Sequence, residues 1–236
     1  MKGMKSVMLI MIAAVLSNCN NAPNNNAEHK HLKPFNSDLP TIGLLMYDGV
    51  LQSEVVATSD VFSKPTEDGK QLFNVITIAE TLKPVTTEEG LTIIPDYTFE
   101  NCPKLEALFV PSAYDMHAQV HNKKIVDFIR TKNNETKFTV SNCAGAHLIG
   151  ESGIANGYKI VTWIGGGEQL QKDYPNLKVQ DDSLVSYVKD GKFLSSNGNL
   201  ASYISALELL EIMTSPEHRE FVESYLYLDR LQNWKK

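Results

Sequence analysis

Two kinds of apolar pattern alternate along the chain. Residues 42–47, 107–110 and 138–141 read as strands buried on both faces, and 72–79 adds a further strand. Between them, residues 53–62 have helical spacing, with Val55, Val56, Ser59 and Phe62 on one side. Ile125, Phe128 and Ile129 mark a second helix, and a third starts over 145–150. Small hairpins are predicted at 85–87 with 91–94, about Glu89-Gly90, and at 185–188 with 193–195, about Asp190-Gly191. Residues 159–162 form a short strand. Leu200, Ile204, Leu207, Leu210 and Met213 keep a helical period, and Pro216 opens a last helix. Strands interleaved with helices predict an α/β three-layer sandwich on a mostly parallel central sheet, flavodoxin-like in plan. In such a sheet a site forms beyond the carboxyl ends of the strands.

The first residues carry a different pattern. Lys2 and Lys5 precede an apolar run at 7–16, too short to span a hydrocarbon core of about 30 Å at about 1.5 Å per residue. A basic start, a short apolar centre and a small polar exit are the marks of a secretory signal. The run ends Leu16-Ser17-Asn18-Cys19, which resembles a bacterial lipoprotein signal whose cysteine is lipidated. Asn18 departs from the small residue usual there. The expected organisation is a signal at 1–18, a flexible tether at 19–39 and one domain at 40–236. The expected address is a bacterial cell envelope, with the protein lipid-anchored through Cys19 or else secreted or periplasmic. The formal charge of the 236 residues is -6, which argues against binding nucleic acid by phosphate neutralisation.

The densest chemical signal is Phe138-Thr-Val-Ser-Asn-Cys143-Ala-Gly-Ala-His147. A buried strand ends, a thiol follows, and small residues lead into a helix. This is a nucleophile-elbow pattern with cysteine in the nucleophile's place. The helix N-terminus is expected to lower the thiol's pKa and to stabilise a developing oxyanion. The pattern equally suits a small buried apolar cysteine. Glu54 follows the first strand, so its carboxyl falls on the same sheet edge as Cys143, where it can exchange a proton with a thiol or complement a helix dipole. Asp115, with Tyr114 and Met116, follows the second buried strand and is a candidate pocket residue. His147 lies one turn beyond Cys143 and reads as a core or surface histidine rather than a base. His117 and His121 have metal-like spacing without the glutamate of a zinc-protease motif. Neither a metal nor an organic cofactor is expected. Cys102 precedes one parallel strand and Cys143 follows another. A gap near 17 Å is expected from about five residues at about 3.3 Å each, which keeps both thiols free.

Over residues 41–229 the chain resembles the ThiJ/PfpI superfamily, with its class I glutamine amidotransferase-like fold. The resemblance rests on Met46-Tyr47-Asp48-Gly49-Val50 with Glu54, on Val110-Pro111, on Cys143-Ala144-Gly145-Ala146, and on Ser195-Ser196-Asn197-Gly198 with Ala201, Ala206 and Leu207. The last segment is similar to the branch holding isonitrile hydratases and the sensor domains of some transcription regulators. The resemblance implies that Cys143 is the nucleophile and Glu54 its acidic partner, with Ala144, Ser112, Ala113, Asp115 and Trp163 around the oxyanion site and pocket. It implies a small-molecule substrate or ligand and a homodimer. Three positions depart from that family. Ala144 replaces a threonine of the hydratase branch, Ser112-Ala113 replaces Gly-Gly, and Trp163-Ile164 stands where many members carry a histidine. Two functions follow: a cysteine-dependent hydratase or hydrolase of a small electrophile, or a non-catalytic member that binds a small molecule or senses oxidants.

Overall fold

The computed structural model describes residues 34–232. The signal pattern, Cys19, and His29 and His31 of the expected tether lie outside the described residues. The strands in chain order are β1 (Thr41–Leu45), β2 (Asn74–Ala79), β3 (Val85–Thr86), β4 (Thr92–Ile93), β5 (Tyr97–Thr98) and β6 (Ala107–Val110). They continue with β7 (Phe138–Asn142), β8 (Lys159–Ile160), β9 (Lys178–Val179), β10 (Tyr187–Asp190) and β11 (Phe193–Ser196). The helices are α1 (Gln52–Phe62), α2 (His117–His121), α3 (Lys123–Asn133), α4 (Ala146–Ser152), α5 (Gly167–Asp173), α6 (Ser202–Met213), α7 (Pro216–Tyr225) and α8 (Leu228–Gln232).

Seven strands form the main sheet in the order β10-β11-β7-β6-β1-β2-β5. All neighbours are parallel except β10, which pairs antiparallel with β11. Numbered along the chain, the long parallel strands β1, β2, β6, β7 and β11 stand in the flavodoxin-like order 2-1-3-4-5. Every residue of β1, β6 and β11 is buried, which requires cover on both faces of the sheet. That cover comes as two helical groups: α1 packs with α6 and α7 follows it, while α3 packs with α4 beside α2 and α5.

The predicted strands and helices are present, with three differences. The buried face of α1 is Glu54, Val55, Ala57, Thr58, Val61 and Phe62, whereas Val56 is exposed. The helix is therefore rotated from the face expected, and it turns Glu54 inward. On α6 Leu207 and Leu210 of the expected stripe are buried along with Ser202, Ser205, Ala206 and Leu209, whereas Ile204, and Leu200 in the turn before the helix, face outward. Finally, residues 159–162 do not join the main sheet: Lys159–Ile160 pairs with β9 in a separate ribbon. Before β1, Asn36 exchanges hydrogen bonds with the Asn74 side chain, so the compact unit starts at Phe35.

Candidate active site

Four chain crossings at the carboxyl edge of the sheet build the site. β1 leads to Glu54 in the first turn of α1. β6 leads to Pro111 and Ser112, β7 to Cys143, and β11 to Gly198. Cys143 has a φ of 50°, a left-handed conformation that points its side chain out of the strand-to-helix turn. The turn fits because Gly145 has no side chain: a Cβ there would stand 2.2 Å from the Val110 carbonyl oxygen. The Thr162 hydroxyl donates to the Cys143 carbonyl at 2.8 Å, and the Asn197 amide donates to the Thr162 carbonyl at 2.6 Å. The loop after β8 and the end of β11 thus clamp the elbow from outside the segment that carries it. Thr162→Val is expected to lower unfolding free energy by about 1 kcal/mol in urea titrations, since one buried hydrogen bond is lost without a change of shape.

Glu54 is only 1 % exposed. Its carboxylate accepts from the Ser112 N–H at 2.7 Å, the Ser112 hydroxyl at 3.0 Å and the Asn199 N–H at 3.2 Å. Burial raises its pKa to about 7, outweighing these three donors. Cys143 is pushed up to about 11, first by burial and then by the Glu54 charge. The Ser112 hydroxyl and the Ala144 N–H at the thiol pull the other way. The depressed thiol pKa expected from the helix terminus is therefore overturned. That argument counts one turn of helix, whereas burial and a second acid act on the same sulfur. Tyr47 lies beneath, its hydroxyl donating to the Pro111 carbonyl, and its own pKa is raised by burial and by Glu54 and Cys143.

The expected oxyanion donors are partly spoken for. The Ser112 N–H serves Glu54, and the Ala113 N–H meets the Met116 sulfur at 3.2 Å. Among the expected donors, the Ala144 N–H is the one that faces the thiol. An open cavity of about 850 Å³ adjoins Cys143, with Ala113, Ala144 and Trp163 in its wall. Asp115 is not in that wall: it is exposed and its carboxylate accepts the His117 N–H at the start of α2. His147 is in the wall, with a neutral-favouring pKa shift caused by burial. The His121 ring nitrogen stands 2.8 Å from the His117 carbonyl oxygen. No group of three or more His, Cys, Asp or Glu able to hold a metal occurs among the described residues. Cys102 and Cys143 are both free thiols. Cys102 precedes β6 and Cys143 follows its parallel neighbour β7.

Several site residues act through features that their residue type does not announce. Gly198 has φ 84° and ψ -169°, a region open to glycine almost alone. A Cβ there would lie 2.2 Å from the Cys143 Cβ and 2.4 Å from a Glu54 carboxylate oxygen. Asn199 and Thr162 act through a backbone N–H and a distant hydroxyl. The Asn-Gly pair at the end of a buried strand was the available hint.

A flavodoxin-like sheet with a cysteine at a nucleophile elbow and a buried carboxyl beside it defines a class of α/β protein built around one thiol. Residues 40–212 match the model of the DJ-1/PfpI family, and the chain belongs to that family. It is 26 % identical over 186 residues to the isonitrile hydratase of Pseudomonas putida, covering 78 % of this chain and 77 % of that protein. Among solved structures, a ThiJ/PfpI family protein from Pseudomonas syringae superposes with a TM-score of 0.72 at 22 % identity, covering 85 % of this chain and 84 % of that one. Drosophila melanogaster DJ-1beta gives 0.69 at 20 % identity, covering 80 % and 98 %.

Proposed function

We propose that the protein is a cysteine-dependent hydratase of a small electrophilic carbon, with an isonitrile as the first substrate to test. One observation carries this reading. The Cys143 thiol lines an open cavity, and the Glu54 carboxyl behind it, its pKa raised to about 7 by burial, accepts from the Ser112 hydroxyl, which also acts on the thiol.

A serine hydroxyl has one proton and donates to one partner at a time. With Glu54 protonated, Glu54 donates to the Ser112 oxygen and the Ser112 proton turns to Cys143. With Glu54 ionised, Ser112 donates to Glu54. Ser112 is thus a relay between the acid and the sulfur. In the reaction the sulfur bonds to the isonitrile carbon while that carbon gains a proton, giving a thioformimidate. Water then adds to the same carbon, the nitrogen takes a proton, and the carbon–sulfur bond breaks. The products are a formamide and the free thiol, so water is the only co-reactant. The Ala144 N–H stabilises negative charge on the sulfur and on the added oxygen.

The test is formamide production from cyclohexyl isocyanide by the full chain. Turnover is expected, and Ala144→Thr is expected to raise it several-fold by restoring a hydroxyl beside the nucleophile. No formamide and no mass shift on Cys143 sinks the proposal. A second reading, a small-molecule binder without turnover, is favoured by the raised thiol pKa, which keeps Cys143 protonated at neutral pH. The same shift argues against an oxidant sensor, since oxidation proceeds through the thiolate. In this reading the chain also works as a homodimer. Its signal ends at residue 18, and a tether holds the domain at a bacterial envelope through lipid on Cys19. Support for these points is the leader pattern and the family resemblance.

A further inference from the structure

We infer that Tyr47 is a positioning residue of the site: its hydroxyl fixes the peptide between Pro111 and Ser112 so that Ser112 presents both its N–H and its hydroxyl to Glu54. The inference rests on the reading of Ser112 as the relay between Glu54 and Cys143, and it names what holds that relay in place.

The first observation is that one peptide unit carries both contacts. The Tyr47 hydroxyl donates to the Pro111 carbonyl, and the Ser112 N–H of the same unit donates to the Glu54 carboxylate at 2.7 Å. No peptide among the described residues is cis, so the carbonyl and the N–H lie on opposite edges of a flat plate. A bond that turns the carbonyl turns the N–H with it. The serine hydroxyl, carried just beyond the plate, reaches the other carboxylate oxygen at 3.0 Å.

The second observation is the freedom that proline leaves. Its ring fixes φ of residue 111 and removes the N–H, so the tilt of the following peptide depends on one soft torsion. Two neighbours act on that torsion at the carbonyl. The backbone at Gly145 limits it by contact, since a Cβ there would stand 2.9 Å from the Pro111 carbonyl oxygen. Tyr47 pulls it by a directed bond. The Leu51 N–H donates to the Ser112 carbonyl at 2.8 Å and holds the next peptide, which leaves the segment an anchor when the tyrosine hydroxyl is removed.

The third observation is placement. Tyr47 follows β1 and is buried in the core, so packing delivers its hydroxyl to one place. Hydrogen bonds in series polarise one another, and the O–H on the carbonyl makes the N–H a stronger donor to the carboxylate. The titratable groups coupled to Glu54 leave this effect separable. They are Glu89 in the turn between β3 and β4, Tyr47 itself, and Cys143 at the elbow. Burial keeps the tyrosine and the thiol neutral at pH 7. Glu89 accepts from the Gln52 N–H at 2.9 Å, a bond that does not involve Tyr47. From α6, packed on α1, Tyr203 donates to Asp60.

The test reads the titration of Glu54 by carbon-13 NMR of the full chain labelled at its glutamate carboxyls, the signal being the one lost in Glu54→Gln. Tyr47→Phe keeps the ring and its packing. In that variant the midpoint should rise by about half a pH unit, as the donors on the carboxylate loosen. With 3-fluorotyrosine at position 47, a stronger donor of similar size, the midpoint should fall by roughly a few tenths of a pH unit. A purely structural role would lower stability and move neither midpoint. An unmoved or lowered midpoint in Tyr47→Phe overturns the inference, as does a midpoint that fails to fall with the fluorinated residue. The fluorinated chain decides the matter if Tyr47→Phe fails to fold. Midpoints that move as expected without isonitrile hydration would remove the proposed reaction and leave this inference standing.

Discussion

Gly198→Ala is expected to abolish the chemistry of Cys143 and to destabilise the fold by roughly 2–5 kcal/mol. The two costs have separate origins. With φ 84° and ψ -169°, residue 198 sits where an alanine pays a backbone penalty of its own. The added methyl would also stand 2.2 Å from the Cys143 Cβ and 2.4 Å from a Glu54 oxygen, far inside contact distance. Neither neighbour can retreat. Cys143 is held by Thr162 through its carbonyl, and Glu54 is held by Ser112 and Asn199. The variant should therefore lose iodoacetamide reactivity at Cys143 as well as turnover, because the added methyl occupies the space of the carbon that carries the thiol and displaces the sulfur from its place. Gly165→Ala is the control: it has φ 90° and nothing within 4 Å of a Cβ, so it carries the backbone penalty without the collision. Gly165→Ala should lose stability without abolishing alkylation. If Gly198→Ala alkylates at the native rate, the steric account of the site is wrong.

Stability should fall by about 3 kcal/mol between pH 4.5 and pH 7 on account of Glu54 alone. The folded pKa is near 7 and the ordinary value is 4.5. Between those values the folded state holds a proton that the unfolded state has released. Stability from this group is thus fully present below pH 4.5 and is lost as pH rises through 7. Other carboxylates titrate in the same range, so the measurement is a difference. Urea unfolding of the native chain and of Glu54→Gln at pH 4.5, 5.5 and 7.5 should show the gap between them changing by that amount. Glutamine does not titrate, but its NH₂ opposes one of the donors from Ser112 or Asn199, so the variant starts lower by a constant. A gap that does not move with pH would mean that Glu54 ionises freely. The proton relay through Ser112 would then have no basis near neutrality.

The elements that could be read from the sequence are those whose burial is simple. β1 and β6 are covered on both faces, so they appear as unbroken apolar runs. The Cys143-Ala144-Gly145-Ala146 turn is legible because a tight approach leaves only small residues. Two-residue strands such as β5 and β9 are too short for any period to register. The face of α1 does not follow from an apolar count because its buried side includes Glu54 and Thr58, polar residues that such a count assigns to solvent. The direction of the Cys143 shift was illegible for a related reason. Its causes are burial and a carboxyl 89 positions earlier in the chain, whereas a local reading sees the helix that follows.

The four crossings that meet at the sheet edge have a kinetic consequence. Glu54 reaches across 58 positions to Ser112 and 145 to Asn199. Contacts of such long sequence separation close late, after much of the chain's entropy has been spent. A fragment that ends before Asn199 lacks one of the three donors that hold the Glu54 carboxylate. During refolding, far-ultraviolet ellipticity should return before thiol reactivity does. Recovery of reactivity at Cys143 is then a gauge of the completed topology.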